Sequence, residues 1–142
     1  IRAPGRNGGH MKVADIMRTD VKTVDLDATV GDAIATLADV HISALPVTDA
    51  HGVIVGVLST TDILGALSET NEPDVREQLF DQPVRDVMTP RSRVSSPNAD
   101  IHTAAKDMLT LEVHRLFVED QGRLVGVISQ TDIVAAVATA KI

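Results

Sequence analysis

The sequence predicts an α/β fold made of two pseudo-symmetric β-α-β-β-α repeats packed sheet to sheet. The first observation behind this prediction is an internal repeat, in which VADIM at residues 13–17 recurs as VRDVM at residues 84–88, 71 positions later. The second is the alternation of helix-like and strand-like apolar spacing within each copy. A repeat of roughly 55 residues is a marginal fold on its own, so two copies are expected to bury their sheet faces against each other.

A second repeated stretch defines the extent of the two copies. GVLSTTDIL at residues 56–64 returns as GVISQTDIV at residues 126–134, now at an offset of 70, so the second copy has lost one residue in its hairpin turn. We therefore predict a first repeat over residues 11–69, an ordered connector over 70–83 and a second repeat over 84–140.

The first residues of the chain, IRAPGRNGGH, differ from the rest. They are rich in Gly and Arg and lack apolar periodicity, so residues 1–10 are interpreted as the scar of an expression tag. Without Arg2 and Arg6 the formal net charge falls from −7 to −9. A chain this acidic is not expected to attract nucleic acid or an anionic membrane. An anionic ligand would therefore have to be held by a few local donors.

Each repeat is predicted to contain the same elements in the same order. A short helical turn at VADIM or VRDVM is followed by an extended segment, a helix, a β-hairpin and a last helix. The central helices are expected to start at the N-cap residues Thr29 and Asp100. Each repeat would then form a three-stranded sheet. The expected segments are the extended stretches 21–25 and 92–96, the hairpin strands 43–48, 53–58, 114–119 and 123–128, and last helices beginning near Thr60 and Gln130.

Two prolines give more local expectations. Pro46 removes a backbone donor from the first hairpin strand, so that strand is expected to lie at an edge or to bulge there. Pro73 is tolerated in the first turn of a helix, so the connector is expected to form a short helix that ends at Pro83. Leu79 and Phe80 would form the buried side of this helix.

Composition excludes several kinds of protein. The chain has 44% hydrophobic residues, no apolar run long enough to span a membrane, and no cysteine for disulfides or thiolate metal sites. Its histidines lack zinc-site spacing, it has no P-loop motif, and Ser59 and Ser129 have no evident base. We therefore expect no catalytic residue, no metal site, no required cofactor and a cytoplasmic location.

The repeated Ser-x-x-Asp corner has two interpretations. Ser59 with Asp62, and Ser129 with Asp132, can form a capping box at the start of a helix. The same corner can bind a ligand, because a helix N-terminus attracts phosphate and a carboxylate accepts hydrogen bonds from vicinal hydroxyls. A glycine three residues before each serine indicates the close approach of a ligand or of another backbone. The residues alone leave both interpretations open, and the two are compatible.

These motifs together resemble a tandem pair of cystathionine β-synthase (CBS) domains, also called a Bateman module. The resemblance covers residues 11–140 and is carried by DIM and DVM at the start of each repeat, SALPV and HRLFV on the second strand, and the two GVLSTTDIL-type corners. It implies a regulatory module that binds adenosine-containing ligands, such as AMP, ADP, ATP or S-adenosylmethionine, in clefts between the repeats. It also implies a homodimer and a regulated partner protein.

The resemblance further assigns roles to residues of this sequence. Asp62 and Asp132 would hold ribose hydroxyls, and the corner serines would contact phosphate or ribose. The backbone near Thr23–Val24, Ala44–Pro46 and their partners in the second repeat would frame the adenine. The complete predicted ligand-binding set is Thr23, Val24, Ala44, Pro46, Ser59, Thr61, Asp62, His114, Arg115, Ser129, Thr131 and Asp132.

The repeats differ in charge at one pair of predicted positions. His114 and Arg115 open the second strand of the second repeat, where the first repeat has Ser43 and Ala44. They are either surface residues at a strand start or the strongest phosphate donors of the pair, with Arg115 offering a forked guanidinium.

The main alternative to a ligand sensor is a purely structural dimerisation module. Its clefts would stay unoccupied, and its serines and aspartates would serve only as caps. An enzyme ranks third, because no catalytic constellation is present. The Ala- and Val-rich helix near residues 133–140 has more apolar surface than one module can cover, which favours a homodimer.

Overall fold

The computed structural model describes residues 11–69, 73–90 and 94–139. These residues form two compact units. The first unit contains the described residues between 22 and 90, and the second combines residues 11–21 with residues 94–139. Each unit therefore joins the hairpin of one sequence repeat to the opening segment of the other. In chain order the elements are α1 (Val13–Ile16), β1 (Val24–Asp25), α2 (Val30–Val40), β2 (Ala44–Thr48), β3 (Ile54–Ser59), α3 (Thr60–Ser68), α4 (Val75–Asp81), a 3₁₀ turn (Val84–Asp86), β4 (Thr89–Pro90), α5 (Ile101–Leu111), β5 (Arg115–Asp120), β6 (Arg123–Ser129) and α6 (Gln130–Ala138).

The first unit contains a four-stranded sheet in the order β1-β2-β3-β4. β1 is parallel to β2, with Val24 opposite Val47, and β2 and β3 form the predicted antiparallel hairpin. The prediction of three strands is wrong, because β4 adds a fourth by pairing Thr89 with Val57. This strand comes from the opening segment of the second repeat. The repeat pattern in the sequence assigns that segment to the second repeat's own sheet.

The core of the first unit joins α2 to the sheet and to the 3₁₀ turn. Its members are aliphatic, as the low aromatic content predicts, and each buried side chain of this size contributes roughly 1.5–3 kcal/mol. The packing therefore holds the opening segment of the second repeat against the first hairpin. The buried cluster contains Val24, Ala33, Leu37, Leu45, Val47, Leu58 and Val84.

Pro46 lies in an interior strand, which corrects the expectation of an edge or a bulge at this residue. β2 lies between β1 and β3, and the register shifts only after Val47. The Thr60 N–H donates to the Ser43 carbonyl. In an antiparallel ladder every second residue of a strand bonds to the neighbouring strand, so Leu45 faces β3 and the Pro46 nitrogen points away from it. On that side β1 begins to pair only at Val47, so no ladder hydrogen bond is lost.

The second unit follows the same plan with shorter outer partners. β5 and β6 form its hairpin, Ser95 bridges to Val118 in parallel, and Arg18 bridges to Val127 in the antiparallel sense. Each N–H of the Arg18–Val127 pair donates to the carbonyl of the other residue at 2.9 Å. These bridges occupy the places that β1 and β4 occupy in the first unit. The buried cluster contains Val13, Ile101, Ala104, Met108, Leu116, Val118 and Ile128.

The predicted starts of the central helices α2 and α5 and of the last helices α3 and α6 are confirmed. Thr29 Oγ1 accepts the N–H of Asp32 at 3.1 Å, and an Asp100 carboxylate oxygen accepts the N–H of His102 at 2.7 Å. α3 and α6 begin at the expected residues, directly after a serine cap. The boundary signals in the sequence therefore locate the helices that carry the Ser-x-x-Asp corners.

The connector helix α4 begins later than predicted. Asp74 is its N-cap residue, so Pro73 precedes the helix instead of opening it. Leu79 is buried as expected, whereas Phe80 is only half-buried. The helix ends at Asp81, before Pro83.

Several stretches with sequence-based expectations lie outside the described residues. They are the predicted tag, residues 1–10; part of the connector, residues 70–72; residues 92–93 of the extended stretch predicted over 92–96; and residue 140, the last of the second repeat. In the described ranges no helix has both the length and the apolar character needed to cross a bilayer.

Candidate ligand-binding site

The first Ser-x-x-Asp corner is a complete capping box at the start of α3. Ser59 Oγ accepts the N–H of Asp62 at 3.1 Å, and Asp62 Oδ2 accepts the N–H of Ser59 at 2.9 Å. The other carboxylate oxygen, Asp62 Oδ1, accepts the hydroxyl of Thr89 at 2.8 Å. We call Ser59–Asp62 together with Thr89 the Asp62 corner.

The second corner has the same cap at the start of α6. Ser129 Oγ accepts the N–H of Asp132 at 3.1 Å, and Asp132 Oδ2 accepts the N–H of Ser129 at 2.9 Å. Here Oδ1 of Asp132 accepts the Nε–H of Arg18 at 3.1 Å. In this ion pair the Asp132 side chain is 9% exposed and the Arg18 side chain 73%. We call Ser129–Asp132 together with Arg18 the Asp132 corner.

The capping interpretation is therefore confirmed at both corners, and the caps do not use every acceptor position of the two aspartates. A carboxylate offers about four lone-pair positions on its two oxygens. Asp62 and Asp132 each use one position for the cap and one for the partner on the opening segment. The remaining positions can accept hydroxyl groups such as those of a ribose.

The glycines before the corners are explained by a neighbouring backbone. A Cβ on Gly56 would lie 2.7 Å from the sulfur of Met88 and 2.7 Å from the carbonyl oxygen of Thr89. A Cβ on Gly126 would make the matching contacts with Met17–Arg18, at 2.7 and 2.8 Å. Of the two interpretations of these glycines, close approach of another backbone is thus the one observed. The glycines give no separate support to ligand binding.

Thr89 and Arg18 are absent from the predicted site. They are equivalent residues, 71 positions apart, and each follows the methionine of a VADIM-type motif. Alignment of the repeats does place an arginine opposite a threonine here, which is the signal that could have found them. This difference between arginine and threonine indicates a site only once it is known that each opening segment packs in the unit of the other repeat's hairpin. The sequence pattern does not reveal that exchange.

The charged pair of the second repeat lies beside the Asp132 corner. Arg115 is opposite Ser129 in the β5–β6 ladder, and Ala44 is opposite Ser59 in the first unit. Directly opposed residues project their side chains from the same face of a sheet. The charge difference predicted from the sequence is therefore a difference at the two corners themselves. The Nδ1 of His114, one residue earlier, lies 3.3 Å from the side-chain oxygen of Gln130 in α6.

The adenine-framing residues that were predicted by number, Thr23, Val24, Ala44 and Pro46, belong to the first unit. Ala44 and Pro46 lie on β2, near the end of β3 that carries Ser59. Thr23 precedes β1 and is exposed, whereas Val24 is buried in the core, so only the backbone of Val24 can face a ligand. Ala44 is thus opposite Ser59, whereas Val24 is opposite Val47, three residues further along β2.

The corner threonines lie in the first turns of their helices. Thr61 and Thr131 are both exposed, and Thr131 Oγ1 lies 2.9 Å from Ser129 Oγ. Over the part of the chain that the structure describes, no three His, Cys, Asp or Glu side chains are grouped as metal ligands. The chemistry of the corners is consequently that of hydrogen bonding and charge.

Comparison with protein families identifies two matches in this chain. The family model described as CBS domain matches residues 13–69 and again residues 84–139. The two matches correspond to the two sequence repeats, and they cover most of the described residues.

Individual relatives match this chain over almost its whole length. The protein MJ1426 of Methanocaldococcus jannaschii is 28% identical, with 92% of this chain and 93% of MJ1426 covered. CBSX2, a chloroplastic CBS domain-containing protein of Arabidopsis thaliana, is 29% identical over 94% of this chain, which spans about two thirds (66%) of CBSX2.

Solved structures have the same fold. The crystal structure of CBSX2 in complex with AMP superimposes with a TM-score of 0.79 at 28% identity, covering 92% of this chain and 98% of that one. The CBS domain pair of MJ0100, solved with 5′-methylthioadenosine and S-adenosyl-L-methionine, gives a TM-score of 0.77 over 92% and 98% of the two chains. The MJ0100 domain pair is only 22% identical to this chain, so this second similarity concerns the fold alone.

Proposed function

Because this chain belongs to the CBS domain family and contains two copies of that domain, we propose that it is a regulatory module that binds adenosine-containing ligands. The observation that carries the proposal is the duplicated corner. At each corner a serine-capped helix N-terminus presents an aspartate whose hydrogen bonds repeat at 2.9 and 3.1 Å. The AMP complex of the related CBSX2 supports adenosine as the common part of the ligand.

Each corner offers what a nucleoside requires. The carboxylates of Asp62 and Asp132 can accept two hydroxyls of a ribose, as acidic residues do in dinucleotide-binding folds. The serine hydroxyls and the backbone N–H groups of a helix N-terminus favour a phosphate close by. At the Asp62 corner, the backbone of Thr23–Val24 and Ala44–Pro46 is proposed to contact the adenine. The proposed activity is binding, with no catalytic step and no required cofactor.

A ligand panel tests the proposal directly. AMP, ADP, ATP and S-adenosylmethionine are compared with GMP and CMP by thermal unfolding and by calorimetry. A ligand that binds only the folded state raises the unfolding temperature. At a ligand concentration of 100 times Kd, the free energy of unfolding increases by about 2.7 kcal/mol. We expect adenine ligands to stabilise the protein more than the others, and 2′,3′-dideoxy-AMP to bind much more weakly than AMP. Equal binding of AMP and its dideoxy analogue would contradict the role of the aspartates.

A structural module is the second candidate, and the completeness of the capping boxes favours it. The serine hydroxyls and both oxygens of Asp62 and Asp132 each have a hydrogen-bond partner within their own unit. On this alternative, no member of the ligand panel changes the unfolding temperature. Alanine at Asp62 or Asp132 would then lower stability, typically by about 1 kcal/mol for a lost cap, without affecting any binding signal.

We also propose a homodimer, because α3 and α6 expose large apolar side chains. Leu64 is 65% exposed, Val134 64% and Val137 58%. Exposed apolar patches of this kind mark interaction surfaces when they are contiguous. A second copy of the same chain would cover them in a self-complementary interface. A protein regulated by the module would contact it elsewhere.

A further inference from the structure

We infer that Arg18 determines ligand selectivity, making the Asp132 corner prefer phosphorylated adenosine ligands while the Asp62 corner prefers adenosine ligands without a phosphate. The inference rests on the proposed function and specifies which ligand each corner takes. It comes from a comparison of two equivalent contacts, Arg18 to Asp132 and Thr89 to Asp62. The capping boxes themselves have the same hydrogen bonds in both units, so Arg18 and Thr89 are the partners of the aspartates that differ.

The contact geometry leaves most of the Arg18 guanidinium available. Its Nε–H donates to Asp132 Oδ1 at 3.1 Å, and this is its only side-chain hydrogen bond within the described ranges. The side chain is 73% exposed, so its two terminal nitrogens face solvent beside the N-terminus of α6. A guanidinium presents its donors in a fork that matches phosphate oxygens. Arg18 is thus anchored at one end and available at the other.

At the positions equivalent to Arg18 and Arg115, the Asp62 corner has the uncharged residues Thr89 and Ala44. Oδ1 of Asp62 accepts a neutral hydroxyl from Thr89 at 2.8 Å. The residue opposite the capping serine is Ala44 in this unit and Arg115 in the other. At these equivalent positions the Asp62 corner therefore has one carboxylate, a formal charge of −1, whereas the Asp132 corner has one carboxylate and two guanidinium groups, +1.

This difference in charge acts on phosphate more than on the nucleoside. A phosphate close to the carboxylate of Asp62 is repelled, and no neighbouring cation at the equivalent positions offsets the repulsion. At the Asp132 corner, ribose hydroxyls can take over a lone pair of the carboxylate while the phosphate accepts from Arg18. A charge-assisted hydrogen bond of this kind changes affinity roughly tenfold. Adenosine lacks the phosphate and gains little from Arg18.

Reciprocal exchange of the two residues tests the inference. Asp62→Ala isolates the Asp132 corner, and Asp132→Ala isolates the Asp62 corner. In each background the Kd values of AMP and adenosine are measured by calorimetry. We expect Arg18→Thr to lower the AMP-to-adenosine preference of the Asp132 corner about tenfold. We expect Thr89→Arg to raise that preference at the Asp62 corner by a similar factor.

Two further variants separate charge from structure. Arg18→Gln keeps a side-chain donor for Asp132 without the charge and should behave like Arg18→Thr. Arg18→Lys keeps the charge and should retain much of the preference for AMP. These variants also replace Arg18→Thr if that protein unfolds, as judged by its thermal transition.

The outcomes distinguish this inference from the proposed function. If the parent protein binds neither AMP nor adenosine, the proposed function fails and the inference with it. If both ligands bind and the Arg18 variants weaken them equally, Arg18 is only structural and the inference alone is wrong. An unchanged AMP-to-adenosine ratio in both exchange variants also overturns it while leaving the proposed function intact.

Discussion

Single residues at the corners combine structural and binding chemistry. Asp62 closes a capping box with one oxygen and holds Thr89 of the opening segment with the other. Asp132 does the same with Arg18. Loss of either aspartate therefore affects helix stability as well as any ligand. A binding role must accordingly be tested through ligand selectivity, which a cap by itself does not change.

Arg115 provides a test at this scale that leaves the cap intact. It lies opposite Ser129 in the ladder and is proposed to interact with phosphate. We expect Arg115→Ala to weaken AMP by about 1.5–3 kcal/mol, the usual value of a hydrogen bond to a charged group, or ten- to a hundredfold. Adenosine should bind nearly as before, as calorimetry would establish. Equal weakening of AMP and adenosine would mean that Arg115 is structural.

At the scale of elements, the two strand glycines are where the opening segments contact the hairpins. A Cβ at Gly56 would approach the Thr89 carbonyl to 2.7 Å, and one at Gly126 the Arg18 carbonyl to 2.8 Å. The backbone must shift to relieve such contacts, so we expect Gly56→Ala and Gly126→Ala each to destabilise folding by about 1–3 kcal/mol. Urea denaturation would measure the change.

Gly65 in α3 is the matched control for these glycine variants. A Cβ there meets nothing within 4 Å, and its φ is not positive. Alanine is favoured over glycine in a helix by roughly 0.5–1 kcal/mol, so Gly65→Ala should be neutral or stabilising. If all three variants changed stability alike, close approach would not be the reason for the strand glycines.

The stability that the first hairpin turn contributes depends on pH. Asp49 Oδ1 accepts the N–H groups of Val53 at 3.1 Å and His51 at 2.8 Å, and these bonds lower the pKa of Asp49 below its usual 3.8. The stabilisation is fully present above the unfolded pKa and is lost as the pH falls through the lower, folded pKa. We expect Asp49→Asn to reduce the loss of stability seen between neutral pH and about pH 3.

Asp120, at the corresponding turn, provides the control for this pH effect. Its side chain makes no such backbone hydrogen bond within the described residues, so Asp120→Asn removes a carboxylate from the equivalent turn without removing these bonds. The comparison is made by denaturant titration at several pH values. An identical effect of both substitutions would exclude a special role of the Asp49 turn.

The sequence predicts the helices and strands of this fold better than it predicts which of them pack against each other. Caps such as Thr29 and Asp100, and the starts of α3 and α6, depend on neighbours within a few residues and were located correctly. The fourth strand, the interior position of Pro46 and the contacts of Thr89 and Arg18 depend on which segment pairs with which hairpin. The opening motifs VADIM and VRDVM are similar enough to allow either pairing, so local patterns do not distinguish between the two pairings.

At the scale of the whole molecule, the exposed faces of α3 and α6 require an explanation. α3 has no buried residue, although it contains Leu64 and Leu67, and only Ala136 is buried in α6. Outside these helices, Leu109 on α5 is 74% exposed. Leaving such side chains in water forgoes roughly 25 cal/mol for every Å² of apolar surface that a partner would bury. A second copy of the chain is the partner that is always present.

Light scattering at micromolar concentration tests this assembly. We expect a mass of about 30 kDa, twice the 15.1 kDa of one chain. Leu64→Glu and Val134→Glu each place a charge on an exposed apolar face, so they should shift the mass towards the monomer while leaving the core unchanged. Ala35→Glu, on the exposed side of α2, is the control, because it changes the charge equally and should leave the protein dimeric. Thr36→Glu on the same helix is unsuitable, because Thr36 is half-buried. A parent protein of monomer mass would exclude the homodimer, and a dimer unaffected by either glutamate would locate its interface away from α3 and α6.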